Sequence, residues 1–278
     1  MIKSIRIGNK IFDFSRIYIM GIINVTNDSF YPESRANLDE IAKIAKRMEE
    51  EGADILDVGA ESTRPGSEPI DPSEEVERIK SAVKAIREIT NLPISVDTYR
   101  AETAKAGIMA GASMINDISG LKFDPAMAKT IAELKVPVVV MHIKGTPRDM
   151  QKNPHYDDVV LEVKRELKRS VKIGIDAGIK KEKIIIDPGI GFGKRLEDNL
   201  NLIAHLNEFK DLNLPILIGI SRKSMINMIM SMDVSERLEP TIALNTIAAV
   251  HGANIVRVHD VRENVKAMRM VDAVMEVE

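Results

Sequence analysis

Residues Ile184–Lys194 read IIIDPGIGFGK. Three isoleucines in a row describe a short strand apolar on both faces, as in a parallel sheet covered by helices. Asp187 ends the run, Pro188 limits the backbone, and Gly189, Gly191 and Gly193 permit positive backbone angles or close approach of a ligand. The glycine spacing and the missing Lys-Ser/Thr ending exclude a Walker A loop, and the glycine order is not that of a dinucleotide-binding turn. Asp187 either takes part in an elaborate helix cap or accepts hydrogen bonds from a ligand, and the glycines favour the ligand. An amphipathic stretch, Leu196–Asn207, follows.

The same unit recurs along the chain. Apolar runs fall at Ile17–Ile23, Ile55–Val58, Ile94–Val96, Ser113–Ile115, Val136–Val140, Ile184–Ile186, Ile216–Ile218 and Asn254–Val258. Between and after them, apolar residues three and four apart predict helices over Leu38–Glu51, Pro72–Thr90, Arg100–Ala110, Asp124–Leu134, Tyr156–Ala177, Ser224–Met230, Pro240–Val250 and Val261–Val277. Eight βα units predict an α/β fold of the TIM-type (β/α)8 barrel kind. A doubly wound open sheet uses the same unit but concentrates its site at one crossover. Here polar groups end the runs throughout: Asn24, Glu61, Asp97, Asn116, His142, Asp187, and Arg257 with His259. Ile2–Ile7 and Lys10–Phe14 flank Gly8-Asn9 as a hairpin, suited to plug the closed end of a barrel. The chain reads as one domain over residues 1–278, with 1–14 as that hairpin. The run Met225–Met232 is assigned to core packing.

With 278 residues, 39 basic and 42 acidic, the formal charge of -3 gives no reason to expect a nucleic-acid partner. The absence of cysteine excludes disulfides, thiolate nucleophiles and cysteine-ligated metals. No apolar run reaches the ~18 residues of a spanning helix, so no membrane partner is expected and a cytoplasmic location is the default.

The strand-end residues sort by chemistry. Asn24 and Asp28 either hold a turn or offer oxygen to a hard cation. Glu61, Ser62, Thr63 and Arg64 precede the turn pair Pro65-Gly66, and Arg64 presents a planar fork suited to phosphate or carboxylate. Asp97 and Asn116 either tether loops or form an acceptor array for a heterocycle rich in N–H groups. Ser221, Arg222, Lys223 and Ser224 after the seventh run, with Arg257 and His259 on the eighth, lie where barrels hold phosphate. His142 and His155 do not match a compact zinc motif.

Seven stretches, MGIINVTNDSF, DVGAESTRPGSEP, SVDT, MINDISG, DPGIGFGK, SRKS and VRVHDV, in this order, resemble the dihydropteroate synthase family. The resemblance implies an enzyme joining 6-hydroxymethyl-7,8-dihydropterin diphosphate to p-aminobenzoate, with Mg2+ as cofactor and a homodimeric assembly. It implies a dissociative reaction in which the methylene C–O bond breaks before the arylamine attacks. Asp97, Asn116, Asp187 and Lys223 would hold the pterin; Asn24, Arg257, His259, Thr63 and Arg64 the diphosphate; Phe30, Thr63, Pro65, Phe192 and Ser224 the p-aminobenzoate. Asn24 would ligate the metal, and Asp97, Lys223 and Arg257 would be the catalytic residues. The first loop departs from the family: Asn27 stands where proline is usual, and Tyr31-Pro32-Glu33-Ser34 replaces a serine-aspartate-glycine-glycine run. A related methyltransferase that serves a corrinoid protein could share the barrel, but SRKS and the Arg257/His259 pair suit a diphosphate leaving group instead.

Overall fold

In the computed structural model, which describes residues 4–25 and 35–277, β1 (Ile5–Ile7) and β2 (Lys10–Phe12) form an antiparallel hairpin turned at Gly8-Asn9. Eight parallel strands follow: β3 (Tyr18–Asn24), β4 (Ile55–Gly59), β5 (Ile94–Asp97), β6 (Met114–Asp117), β7 (Val138–Met141), β8 (Ile184–Asp187), β9 (Leu217–Ile218) and β10 (Ile255–Val258). They lie in the order β8-β7-β6-β5-β4-β3-β10-β9, and the parallel bridge between Ile186 and Ile216 brings the two ends together. Strands adjacent in sequence are adjacent in the sheet and the last, β10, pairs with the first, β3, which is the connectivity of a (β/α)8 barrel.

Around it stand α1 (Arg35–Glu51), α2 (Pro72–Arg87), α3 (Ala101–Met109), α4 (Met127–Leu134), α5 (Val159–Asp176), α6 (Leu196–Ala204), α7 (Ser224–Met230), α8 (Leu238–Val250) and α9 (Val261–Met275). Two, α4 and α5, begin later than their periodicity predicts because a carboxylate is spent on the turn before them. Asp158 accepts from Leu161 N at 2.9 Å, which starts α5 three residues after Tyr156. Asp124 accepts from Ala126 N and from Ala101 N, tying the turn before α4 to the start of α3.

Alternation along the strands creates two cores. Residues such as Ile19, Leu56, Val96, Ile115, Val140 and Ile186 face the helices. The alternate set, Tyr18, Met20, Ile55, Met114, Val139, Ile185, Leu217 and Ile255, packs as a separate cluster with Ile5, Ile7 and Phe12 of the hairpin. The hairpin is therefore the floor of the barrel, as its position before the first unit suggested. Its three large side chains are fully buried, each stabilising by about 2 kcal/mol.

The Met-rich run departs from its expected role. Met225 and Ile226 are buried, but Met228, Ile229 and Met230 are exposed. A seven-residue helix has one face to bury, and apolar composition alone does not say which residues lie on the other.

Candidate active site

The residues two positions beyond the apolar floor decide what the barrel can hold. Strand pairing sets Asp57 beside Ser95, Asp97 beside Asn116, and Met141 beside Asp187, all on the parity of the floor residues. Arg257 has the parity of Ile255 on β10. A lumen apolar at its base thus becomes ionic one layer higher. Asp97, Asn116 and Asp187 are the last or next-to-last residues of their strands, so the ladder extends past the apolar runs to include them.

Arg257 stands at the centre of this layer. Its Nε donates to Asp57 Oδ2 at 2.6 Å and an Nη to Asp97 Oδ2 at 2.6 Å. Asn116 Nδ2 donates to the same Asp57 oxygen at 3.0 Å. Burial pushes the Asp97 carboxyl up to about 7, aided by the charges of Asp57, Glu75 and Asp117 and opposed by Arg257. Burial also raises Asp187, against the pull of Lys223, and brings Lys223 down to about 8.

The 188–194 loop is bent back onto its own chain. Gly189, Gly191 and Gly193 have φ of 71°, 81° and 64°. A Cβ on Gly189 would sit 1.9 Å from His142 O, and one on Gly193 2.2 Å from Lys144 O. Two of the three glycines therefore serve close approach of the segment after β7. Lys194, buried, completes the fastening: its ammonium reaches His142 Nδ1 at 2.9 Å, Gly189 O at 2.8 Å and Phe192 O at 3.0 Å. A protonated Lys194 meets three acceptors with three donors, His142 then being neutral with its proton on Nε2, although burial pulls the lysine itself well below its ordinary range. Burial and the neighbouring lysines hold His142 well below its ordinary range, in keeping with that state. The loop presents Phe192 with the Lys223 ammonium 4.5 Å from its ring centre, while Lys223 donates to Ile190 O. Phe192, Tyr99 and Phe123 pack on Ile118, Met141, Ile143 and Met150, an apolar wall bordering the ionic layer.

The remaining candidates have separate surroundings. Glu61 accepts from Ile70 N at 3.1 Å, Tyr99 Oη at 2.5 Å and Arg100 at 2.8 Å, so it ties the loop carrying Ser62, Thr63, Arg64 and Pro65 to the end of β5. His259 pairs with Ser221 Oγ at 3.0 Å, and burial with the charges of Arg257, Arg222 and Arg64 brings it down to about 4. Arg222, grouped with the phosphate candidates by sequence, is engaged elsewhere. Its guanidinium is bidentate to Asp260 at 2.8 Å and reaches Val234 O and Ser235 O. Asn24 is exposed at the end of β3, and Ser224 is exposed as the first residue of α7. Phe30, Asn27 and Tyr31–Ser34 lie outside the described residues.

Acceptors therefore line one part of the lumen, and an apolar wall stands beside them. This combination suits a flat heterocycle with N–H groups on its edge. The family model for pterin binding enzymes matches residues 20–259. A dihydropteroate synthase from Clostridium beijerinckii is 45% identical over 97% of this chain and 99% of its own length. The chain belongs to the pterin-binding dihydropteroate synthase family. Solved structures of the family agree in fold. That of the Yersinia pestis dihydropteroate synthase with a sulfonamide drug complex superposes with a TM-score of 0.93 at 39% identity, over 98% of this chain and 99% of that one. That of the Xanthomonas albilineans dihydropteroate synthase with 4-aminobenzoic acid gives 0.91 at 40% identity, over 99% of each chain.

Two residues of this pterin-binding family member escape a strand-end reading. Asp57 lies inside the strand ILDVG, where a single acid looks like an interruption of the apolar run; its signal is parity with Ile55. Lys194 is the last letter of DPGIGFGK and reads as surface charge until its burial is seen.

The tether at Glu61 has a measurable consequence. Glu61→Gln replaces an anionic acceptor by an amide and loosens the 61–70 loop. The p-aminobenzoate KM is expected to rise several-fold while the affinity for pterin holds within twofold. Steady-state kinetics alongside calorimetry with the pterin substrate checks this, and equal losses for both ligands would contradict it.

Proposed function

We propose that the chain joins 6-hydroxymethyl-7,8-dihydropterin diphosphate to p-aminobenzoate, releasing 7,8-dihydropteroate and pyrophosphate. The observation that carries this reading is the 45% identity to a dihydropteroate synthase over nearly the full length of both chains, coupled with strand-end residues gathered in one ionic layer.

In this reading Asp97, Asn116 and Asp187 accept from the amino and ring N–H groups of the pterin, and Lys223 donates to the ring. The apolar wall with Phe192 covers a face of the heterocycle. Arg257, His259, Thr63 and Arg64 address the diphosphate, while Thr63, Pro65, Phe192, Ser224 and Phe30 receive the p-aminobenzoate. The methylene C–O bond breaks with its electron pair leaving on pyrophosphate. The arylamine nitrogen then forms the new C–N bond and loses a proton. An aniline-type amine is already unprotonated near neutral pH, so alignment and charge stabilisation supply the catalysis without a dedicated base.

Mg2+ keeps most of its waters and takes one or two protein oxygens together with substrate phosphates. Asn24 fits that demand: its exposed side chain makes no hydrogen bond among the described residues, and they contain no cluster of three His, Cys, Asp or Glu ligands that would suit another kind of site. Asn24 would hold the ion against the diphosphate, where its charge offsets that of the leaving group.

We also read the protein as a cytoplasmic homodimer. Support comes from the lack of cysteine, the absence among the described residues of a helix long and apolar enough to cross a membrane, and exposed apolar side chains on α7 and α8, including Met228, Ile229, Met230, Ile247 and Val250. Sedimentation at micromolar concentration tests the dimer, and a monomer there would refute it.

The deciding experiment supplies both substrates, with and without Mg2+, and follows dihydropteroate and pyrophosphate together. Equal formation of the two supports the reading; methyl transfer to a corrinoid protein with no pyrophosphate release would replace it. A pH profile adds detail. Pterin capture needs Asp97 ionised, so kcat/KM rises through about 7, and needs Lys223 protonated, so it falls through about 8. A narrow bell is expected, and a flat profile from pH 6 to 9 would contradict these roles.

A further inference from the structure

Asp57 is fully buried inside the barrel and belongs to no ligand-facing loop. One of its oxygens, Oδ2, accepts from Arg257 Nε at 2.6 Å and from Asn116 Nδ2 at 3.0 Å. The other, Oδ1, is buried without a partner among the described residues, as is Oγ of Ser95, its pairing neighbour across β4 and β5. Buried polar atoms left without partners are costly, and such exceptions gather at functional sites.

An amide side chain can turn either way, and its neighbour decides which. An ionised carboxylate only accepts, so Asn116 must turn Nδ2 toward Asp57 and its oxygen away from it. Arg257 is fixed by the same atom. With Asp57 on one arm and Asp97 on the other, its guanidinium plane is set by two strands at once.

We propose that Asp57 is a positioning residue of the pterin site, holding Asn116 so that its oxygen is presented to the ligand and orienting Arg257 beside it. This rests on the proposed function and adds a specificity rule to it. The heterocycle must offer an N–H donor, never an acceptor, at Asn116.

The test is Asp57→Asn in the full-length protein, read by calorimetry with 6-hydroxymethylpterin, which lacks the diphosphate, and by steady-state kinetics. The neutral amide no longer dictates the orientation of Asn116. The Kd for the pterin is expected to rise at least tenfold, with the p-aminobenzoate KM within twofold of wild type. The pH dependence supplies a readout that structural damage would not move. Asp97 is faced by Asp57 from β4, Glu75 from α2, Asp117 from β6, Arg257 from β10 and Lys223 from the segment after β9. The substitution removes one of the negative charges and leaves Arg257 to Asp97 alone; both changes lower the Asp97 pKa. The acid limb of pterin binding therefore moves to lower pH. An unchanged Kd and an unshifted limb would overturn the proposal, as would equal losses for both substrates with no shift.

If Asp57→Asn does not fold, Asp57→Glu serves. It keeps the charge and the acceptor but moves both by one methylene relative to Asn116 and Arg257, so the Kd for the pterin is expected to rise at least tenfold with the p-aminobenzoate KM within twofold of wild type. An unchanged Kd, or equal losses for both substrates, would overturn the proposal. Failure of the wild-type protein to bind pterin or release pyrophosphate would instead reject the function on which the proposal rests.

Discussion

Gly189→Ala is expected to lower stability by about 3 kcal/mol or more and to remove measurable pterin binding. Two effects add. The backbone φ of 71° costs an L-residue about 1 kcal/mol. The larger effect is steric, since the new methyl would stand 1.9 Å from the carbonyl oxygen of His142, which is backbone and cannot swing aside. The chain between Asp187 and Lys194 has to lift, breaking the bond from Gly189 N to Asp187 Oδ1 and the contacts of the Lys194 ammonium. Gly66→Ala is the control. Its φ of 79° is equally left-handed, but nothing lies within 4 Å of the added carbon, so only about 1 kcal/mol is expected. Thermal melts of the two variants separate clash from conformation; equal losses would show that the close approach does not matter.

Arg257→Met carries the second large effect. It removes the counter-charge of Asp57, which is fully buried, and of Asp97. Breaking a buried pair from one side costs about 3 kcal/mol, because the remaining charge is left desolvated. The variant can recover part of this by protonating Asp97, whose carboxyl, already pushed up to about 7 with Arg257 beside it, rises further above its unfolded value of about 4. The folded state then binds more protons than the unfolded one between those two values, and stability falls as pH increases. The melting temperature of Arg257→Met should be higher at pH 5 than at pH 8 by a wider margin than that of the wild type, with product formation reduced at least a hundredfold throughout. A melting temperature that rises over the same interval would show that the carboxylates are not left uncompensated.

The barrel was legible because its strands are continuous apolar runs, and eight of them separated by amphipathic stretches leave few other folds. The acceptor residues were legible for a related reason, since a carboxylate closing an apolar strand stands out. Asp57 was not, because it lies within a strand, and parity toward the lumen becomes visible only when neighbouring strands fix the register. Nor could spacing separate Lys223 from Arg222. Adjacent in sequence, they diverge because Arg222 adopts φ of 56° and turns its side chain to Asp260. Composition misjudged Met228–Met230 for want of a partner surface. The glycines of DPGIGFGK were recognised as places of close approach, but what approaches Gly189 and Gly193 is the protein's own backbone.

The hairpin floor gives the barrel a single mouth. A vessel with a blind end imposes a queue: whatever lies on the ionic layer entered first and leaves last, and anything seated above it is a stopper. A compound that occupies only the outer position thus slows departure from the inner one without touching it. Such a compound would appear in kinetics as tighter retention of the first guest, a form of inhibition that an open-ended channel could not produce.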